Sequence, residues 1–302
     1  MTFSAQVKEE LCSVEEQKRS LVLAEAYGLL LFAHQFGAQE ISLQTENERV
    51  ARRYQNLLKQ AAGVAVCLTL PKKKGGMITA DVPDPAGRDK LLGLFGHTGK
   101  ELALRANRAN LEEDGCVGAF LRGAFLACGT LTNPQKDYHL EFLLGRRKMA
   151  MDLTHILGEA GLQAKTVTRR SALVVYLKES EQIEDLLTLM QAVKASLECM
   201  NIKIYKDMRN RVNRVTNCET ANLSKTVEAV RKQIWAIDLI ENTIGLDSLP
   251  AKLREVAQAR RENEEMSLSE LGSALSQPLT RSGVNHRLQK IIELAEELAG
   301  QT

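Results

Sequence analysis

Two apolar stretches of this chain have the length of a helix but carry small residues where helices normally carry bulky ones. The second stretch, VGAFLRGAFLACG (117–129), places Gly123 and Ala124 on or beside one face. The first, LVLAEAYGLLLFAHQF (21–36), contains Gly28. Because helix backbones approach each other closely only where side chains are missing, we expect the two helices to pack together through these small residues. The alternative is that each helix packs on its own sheet, for which one or two glycines suffice.

The pattern of elements around these stretches occurs twice in the first two hundred residues. Each stretch is followed by a strand, a helix and two further strands, and the period-two alternation at Leu173 and Val175 supports half-buried antiparallel strands. The predicted strands lie at 38–45, 63–70, 76–82, 137–145, 163–170 and 171–179, and the helices that follow the first strands at 46–61 and 146–161. We expect an α+β fold with one pseudo-symmetric domain at 1–200, halves of about 1–100 and 101–200, and a saddle-shaped antiparallel sheet. The alternative is two unrelated α+β segments.

The composition is typical of a globular protein that is not stabilised by structural metal sites or disulfide bonds. Charged residues make up 26% and hydrophobic residues 44% of the 302 residues, and the net charge is +2. The six cysteines lie far apart without a CxxC pair, which argues against zinc and disulfides and favours buried thiols in a reducing cytoplasm. The apolar run at 21–36 contains Glu25 and His34 and is shorter than the roughly 20 apolar residues that cross a bilayer. We expect it to be a core helix, and the charged N-terminal segment lacks the pattern of a signal peptide.

Residues 247–299 have the pattern of a three-helix DNA-binding domain. Asp247 or Ser248 is predicted to cap the first helix, which carries Pro250 in its first turn. The second helix is predicted to begin at Ser267, because a glutamate three residues later completes a capping box.

The third helix of this domain is the predicted reading helix. The proline in QPLTR (277–281) ends the second helix, and Ser282 is predicted to cap the third. The apolar positions of the third helix follow helical spacing: Val284, Leu288, Ile291, Ile292 and Ala295. No acidic residue occurs from 271 to 292 and three glutamates follow, so the charges oppose the helix dipole. A recognition helix that presents its N-terminus to phosphates and base edges accounts for this inversion.

Polar side chains in the first turns of this helix are candidate DNA contacts. Asparagine pairs bidentately with adenine and arginine with guanine in the major groove, so Asn285 and Arg287 are the predicted base readers. Arg281, Ser282 and Lys290 are predicted to contact phosphates. Further candidate contacts in this domain are His286, Ser267 and Ser269. The alternative is a solvated basic face on a structural three-helix bundle, and His286 could equally be a packed or water-facing residue.

A basic segment precedes the three-helix domain. Residues 203–225 carry six basic and two acidic side chains, a net charge of +4. We predict a linker at 201–245 whose basic part lies along the DNA backbone and adds sequence-independent affinity. Its candidate contacts are Arg209, Arg211, Arg214 and Asn217. A helical linker that packs on the first domain is the alternative. Trp235, in an amphipathic helix at 221–243, is expected in the core, and the basic run PKKKGG (71–76) in a solvated turn.

The stretch LRGAFLACG (121–129) resembles the LAGLIDADG helix of homing endonucleases, and AYGLLLFAH (26–34) is a weaker copy. In that family, each helix supplies at its eighth position an acidic side chain that binds the divalent cation for DNA cleavage. The matching positions in this chain are Ala33 and Cys128, and neither offers the oxygen ligand that a Mg²⁺-type ion requires. The resemblance therefore implies a nuclease scaffold without metal, cofactor or catalytic residues, and we expect no enzyme activity.

Three further blocks make the resemblance more specific, and together they are similar to the WhiA family of bacterial transcription regulators. The blocks are CGTLTNPQKDYHLEF (128–142), NRVTNCETANLSKTVEA (213–229) and LTRSGVNHRLQKIIELAEEL (279–298). Membership implies a degenerate LAGLIDADG domain joined to an all-α helix-turn-helix domain at 246–302. It also implies a role in gene regulation tied to cell division and chromosome segregation, with sporulation in some lineages.

These observations predict a cytoplasmic, nucleoid-associated protein whose partner is double-stranded DNA, with no membrane or small-molecule partner. The first domain is expected to be either a second, weak DNA clamp or a docking surface for a protein such as RNA polymerase or another regulator. One alternative function is a metal-dependent endonuclease that uses other carboxylates, and a second is a protein-docking module that does not read DNA. RNA binding is disfavoured because neither RNP-type aromatic residues nor a fitting GXXG loop is present.

Overall fold

The structure is a computed structural model that describes residues 1–71, 75–169 and 172–300. The basic residues of the predicted turn at 71–76 lie outside the described residues. The chain forms two compact units, Met1–Asp207 and Met208–Thr302. No helix in the described ranges is both long enough and apolar enough to span a membrane.

In its described residues, the first unit contains seven α-helices and the beginning of an eighth. The first half has α1 (Phe3–Cys12), α2 (Arg19–Leu31), β1 (Gln35–Phe36), β2 (Ile41–Thr45), α3 (Glu48–Ala62), β3 (Cys67–Thr69), β4 (Ile78–Asp81) and α4 (Pro85–Leu94). The second half has α5 (Cys116–Cys128), β5 (Gly129–Leu131), β6 (Leu140–Leu144), α6 (Arg147–Glu159), β7 (Lys165–Arg169), β8 (Ala172–Leu177) and α7 (Ser180–Leu189). From α2 to α4 and from α5 to α7, the two halves have the same order of helices and strands, which confirms the predicted duplication.

The antiparallel sheet predicted for this unit consists of two four-stranded sheets, one for each half. The strand orders are β1-β2-β4-β3 and β5-β6-β8-β7, and every neighbouring pair is antiparallel. The two orders correspond strand for strand, as a pseudo-twofold duplication requires. The α+β architecture predicted for this part of the chain is therefore confirmed.

Helices α2 and α5 pack against each other with their backbones in contact. A Cβ atom added at Gly28 would overlap the carbonyl oxygen of Phe120, and one added at Gly123 would overlap the carbonyl oxygen of Glu25. Both clashes are with backbone of the opposite helix, which no rotamer change can relieve. The small residues therefore serve the contact between the two halves, as predicted, rather than the packing of each helix on its own sheet.

A buried network of ion pairs joins the same two helices and was not predicted from the sequence. The Glu25 carboxylate on α2 accepts hydrogen bonds from the guanidinium of Arg122 on α5, at 2.9 and 3.0 Å, and from that of Arg53 on α3, at 2.7 and 2.8 Å. Arg122 also donates to Glu16 at 2.7 Å and to the Met190 carbonyl at 3.3 Å. Because Glu25 and Arg122 are fully buried, each charge depends on the other for its compensation.

The second unit is built on four helices rather than the three predicted. These are the C-terminal part of α8 (Val193–Thr243), α9 (Ala251–Glu262), α10 (Leu268–Ala274) and α11 (Arg281–Ala299). Ala236, Ile237 and Ile240 of α8 are buried in one cluster with the predicted apolar stripe of α11. The fourth helix therefore closes a core that three helices of this length would leave partly open.

The region predicted as a linker is part of the continuous helix α8. Residues 207–229 of this helix are all exposed, and we call them the uncovered stretch of α8. Trp235 was predicted in the core, but its surface is 45% exposed because the adjacent Ala236 and Ile237 face the core instead. At the start of the three-helix segment, Asp247 and Ser248 lie in a short 3-10 turn (Leu246–Ser248), and α9 begins only after Pro250 without a side-chain cap.

The six cysteines are all free, and they differ in burial. Cys116 and Cys199 are buried, Cys12 and Cys128 are half-buried, and the remaining two are exposed: Cys67 and Cys218. The prediction of buried thiols is therefore wrong for Cys67, at the start of strand β3, and for Cys218, in the uncovered stretch of α8. Burial raises the pKa of the thiols of Cys12, Cys128 and Cys199 to about 12.

Replacing Gly123 with alanine is expected to destabilise the first unit, because the added methyl group meets backbone of the opposite helix. Overpacking of this kind costs about 1–3 kcal/mol, and about 2 kcal/mol lowers the Tm of a unit of this size by roughly 4–8 °C. The control is Gly158→Ala in α6, where a Cβ meets nothing within 4 Å, so that the higher helix propensity of alanine raises stability slightly. Differential scanning calorimetry measures both changes. An unchanged Tm for Gly123→Ala would contradict the close helix contact.

The cysteines are expected to react with iodoacetamide in two classes at pH 8. A pKa of about 12 leaves Cys12, Cys128 and Cys199 protonated at that pH, whereas only the thiolate is nucleophilic. Cys67 and Cys218 are exposed and are expected to be labelled first. Peptide mass spectrometry at successive times measures the order, with urea-unfolded protein as the control in which all six react. Labelling of Cys128 as fast as Cys67 in the folded protein would contradict its burial.

Candidate nucleic-acid interface

Helices α10 and α11 are joined by a tight turn that fixes the direction of α11 relative to α10. The Leu279 amide donates to the Gly272 carbonyl at 3.0 Å, and a Cβ at Gly272 would overlap the carbonyl oxygen of Leu279. The turn therefore lies directly on α10, and only glycine allows this approach. A short helix, a turn held to it and a longer second helix together form a helix-turn-helix.

The cap predicted for α10 is found in the structure, whereas the cap of α11 differs from the predicted one. The Ser267 hydroxyl accepts from the Glu270 amide at 3.3 Å, and the Glu270 carboxylate accepts from the Ser267 amide at 2.8 Å, so the predicted capping box is confirmed. Hydrogen bonding to Ser267 lowers the pKa of Glu270. Helix α11 is capped by Thr280, whose hydroxyl accepts from the Gly283 amide at 3.3 Å. The predicted cap, Ser282, is instead the second residue of the helix and has an exposed side chain.

Two contacts that the sequence does not reveal hold the loops around α10. The buried Arg260 guanidinium on α9 donates to the carbonyls of Asn263, Glu264 and Met266, at 3.3, 3.2 and 2.7 Å. The Glu255 carboxylate accepts from the Ser276 amide at 2.7 Å, and hydrogen bonding to Ser276 lowers the pKa of that carboxyl. Helix α9 therefore fixes both ends of α10, and the position of α11 follows from it.

Helix α11 has one buried face and one open face. The predicted apolar stripe is confirmed, because all five of its side chains are buried: Val284, Leu288, Ile291, Ile292 and Ala295. Five of the predicted DNA contacts on this helix are exposed: Arg281, Ser282, Asn285, His286 and Lys290. Among the described residues, none of these five side chains has a hydrogen-bond or ion-pair partner. The open face is thus available to a ligand without the loss of an internal contact.

Neighbouring helices lie against the two flanks of α11. On one flank, Lys232 of α8 pairs with Glu296 at 2.7 Å. On the other, the Arg287 guanidinium donates to the Lys252 carbonyl of α9 at 3.3 Å, so this predicted base reader is half-buried rather than fully open. Ser267 and Ser269, at the start of α10, are exposed and lie within the same unit.

The predicted backbone contacts on α8 lie in its uncovered stretch. Arg209, Arg211, Arg214 and Asn217 are exposed, and their side chains have no hydrogen-bond or ion-pair partner among the residues that the structure describes. The two lysines before them are held by the first unit: Lys203 pairs with Glu181 at 2.8 Å, and Lys206 donates to the Pro134 carbonyl at 2.6 Å. The free cations of the basic segment therefore begin at Arg209.

A cleft of about 1190 Å³ lies at the ends of the paired helices α2 and α5, and both degenerate ligand positions, Ala33 and Cys128, line it. Helix α1 lies at this cleft and contributes Lys8, whose ammonium donates to the Leu126 carbonyl at 3.3 Å and lies 5.8 Å from the centre of the Phe125 ring. Burial lowers the pKa of Lys8. The end of the helix pair thus carries an amine where the resemblance would place carboxylates.

These residues do not fit a divalent cation. Ala33 has no donor atom, the Cys128 thiol with a pKa of about 12 stays protonated, and Lys8 brings a positive charge to the same place. The carboxylates nearby in sequence have other partners: Glu25 is held by two arginines, and Glu141 pairs with Arg169 and His139, each at 2.9 Å. In the described part of the chain, no group of three or more His, Cys, Asp or Glu side chains is arranged to hold a metal ion.

Comparison with protein families gives two matches that together cover most of the chain. A family described as the WhiA LAGLIDADG-like domain matches residues 117–209. A family described as the WhiA C-terminal HTH domain matches residues 212–295, which include the fourth helix found here.

Individual proteins match over nearly the whole length. Proteins named probable cell division protein WhiA from Clostridium novyi (strain NT) and Clostridium perfringens (strain SM101) are 39% and 41% identical, over 99% of this chain and 98% of each relative. The crystal structure of full-length DUF199/WhiA from Thermotoga maritima matches with a TM-score of 0.60 at 27% identity, over 98% of this chain and 99% of that one. A crystal structure of the N-terminal LAGLIDADG domain of DUF199/WhiA has the same fold as the first part of this chain, with a TM-score of 0.50 and 23% identity over 63% of this chain and 92% of that one. The resemblance found in the sequence is therefore confirmed, and this chain belongs to the WhiA family.

Proposed function

We propose that this protein is a sequence-reading, DNA-binding transcription regulator without nuclease activity. The observation that carries the proposal is the open face of α11, which presents exposed polar and basic side chains at the N-terminal end of the second helix of a helix-turn-helix. No carboxylate lies in the first turn of α11, so phosphates meet no like charge there, and the positive end of the helix dipole adds to the attraction.

The side chains of α11 divide into readers and anchors in this proposal. We assign Asn285 to an adenine and Arg287, on the flank beside α9, to a guanine. Arg281, Ser282 and Lys290 contact phosphates and set the position of the helix on the duplex, with His286 between them. Ser267 and Ser269, at the start of α10, supply hydroxyl contacts to the DNA backbone.

The free cations of α8 extend this interface in the proposal. Arg209, Arg211 and Arg214 carry three positive charges that have no partner in the described part of the chain, and Asn217 adds a neutral hydrogen-bonding group. Contacts of this kind neutralise phosphates whatever the sequence. We accordingly assign the chain three functional parts, a degenerate LAGLIDADG domain at 1–200, a basic segment at 201–245 and a reading domain at 246–302.

The names of the relatives support the biological role that we propose. Proteins that match this chain over 99% of its length are named as cell division proteins. We place this protein in the cytoplasm at the nucleoid, where it regulates genes of cell division and chromosome segregation, and of sporulation in lineages that sporulate.

A second candidate function for the first unit is the docking of a protein partner such as RNA polymerase or another regulator. Three strands place Leu143, Val174 and Val167 in one row across the sheet. Leu143 is 57% and Val167 38% exposed, whereas Val174 between them is buried, and exposed apolar side chains give phosphates no favourable contact. This observation favours a protein partner over a second DNA clamp at that sheet.

DNA affinity is expected to fall steeply as the salt concentration rises. In a plot of the logarithm of the binding constant against the logarithm of the salt concentration, each contacted phosphate contributes about −0.9 to the slope. The variant Arg209→Ala, Arg211→Ala, Arg214→Ala is expected to reduce that slope by about 0.9 for each contact that it removes. Fluorescence anisotropy with a labelled random-sequence duplex measures the slope. The matched control removes three exposed lysines elsewhere, Lys59, Lys90 and Lys100, and is expected to keep the wild-type slope. A flat salt response of the wild-type protein would favour the docking function instead.

Supercoiled plasmid is expected to stay intact on incubation with the protein and Mg²⁺ or Mn²⁺, because Ala33 and Cys128 supply no oxygen ligands at the helix ends. Agarose electrophoresis with a restriction enzyme as the positive control measures nicking and linearisation. Cleavage that disappears when a chelator is added would contradict the absence of nuclease activity and favour the endonuclease alternative.

A further inference from the structure

One side chain on the open face of α11, Gln289, takes no part in the interface assigned above. It follows Ser282 by seven residues and His286 by three, spacings that place all three on one ridge of the helix. At about 100° per residue, this ridge faces away from the buried stripe of α11, whereas Asn285 and Arg287 lie at the two edges of that stripe. Gln289 is therefore more outward-facing than either predicted base reader.

In the interface proposed above, the position of Gln289 along α11 is compatible with a contact to base edges. At about 1.5 Å per residue, it lies roughly 12 Å along the axis from Arg281, and the major groove is about 12 Å wide. The next residue on the ridge, Glu293, is exposed and would meet phosphates with a like charge. Only the N-terminal part of the ridge therefore suits contact with DNA. Gln289 is the last residue of that part, because the next residue on the ridge is Glu293.

The amide of Gln289 is free to bind. It is exposed, and within the described ranges it has no hydrogen-bond partner, so a ligand can bind it without breaking a hydrogen bond of the unit. An amide offers an acceptor and a donor side by side, and this pattern complements N6 and N7 of adenine in the major groove. We propose that Gln289 is a specificity-determining residue that reads one adenine, an assignment that rests on the DNA-reading function proposed above.

Selection of binding sites from a pool of random duplex DNA tests this assignment with the full-length chain. The wild-type protein is expected to select a defined sequence. Gln289→Ala is expected to lose the preference for adenine at one position, by about five- to a hundredfold in relative affinity, and to keep the preferences at the others. Gln289→Glu is expected to change that position toward cytosine, because a carboxylate accepts from cytosine N4. The control is Gln258→Ala, which removes an exposed glutamine of α9 and is expected to select the wild-type sequence.

The outcomes separate the assignment from the function on which it rests. If the wild-type protein selects a sequence and Gln289→Ala selects the same one with equal preference at every position, Gln289 does not read a base. A uniform loss of affinity without a change in preference would make Gln289 a backbone contact and would also overturn the assignment. If the wild-type protein selects no sequence at all, the proposed reading function fails, and the assignment fails with it. Circular dichroism melting of each variant confirms that the unit is folded.

Discussion

The contact between α2 and α5 is the constraint on which the first unit depends. Gly28 and Gly123 each lie against backbone of the opposite helix, at a distance that excludes even one methyl group. Because each half of the duplication supplies one of these helices, their approach fixes the two halves relative to each other. The two sheets and the cleft at the helix ends are held in place by the same contact. A duplication with bulkier residues at these two positions would have to separate its halves.

The close approach of these helices also creates the need for the buried ion pairs. Glu25 faces α5 in a position that water cannot reach, and its carboxylate is compensated by Arg122 from that helix and by Arg53 from α3. Each of these charges would be costly to bury alone, since removal of one partner from a buried pair leaves an uncompensated charge. A slip of either helix would separate these partners and leave buried charges uncompensated.

The two units differ in whether their candidate binding groups have partners within the protein. In the first, the ends of the helix pair carry no oxygen ligand at the two degenerate positions, Ala33 and a protonated Cys128, and the ammonium of Lys8 lies beside them. In the second, hydrogen bonds from Arg260 and Glu255 of α9 hold the loops on both sides of α10. Among the residues that the structure describes, the polar side chains of the outward ridge of α11 have no hydrogen-bond or ion-pair partner, so they can meet a ligand without breaking such a contact. In the first unit, Lys8 is thus held by a contact within the protein. On α11, the polar side chains of the ridge are open to a ligand.

The sequence by itself determined the features that depend on local spacing. The small residues of the paired helices, the capping box of Ser267 and the apolar stripe of α11 are all readable from neighbours three or four residues apart, because helix geometry fixes their relation. Only the tertiary structure decided which distant groups meet. It pairs Glu25 with Arg122, brings Lys8 of α1 to the end of α5, draws Arg287 toward α9 and adds α8 to the second core. Thr280 rather than Ser282 caps α11 because the turn lying on Gly272 sets the residue at which the helix begins. The contacts between distant residues follow from the packing of whole elements, and no short window of sequence contains both of their partners.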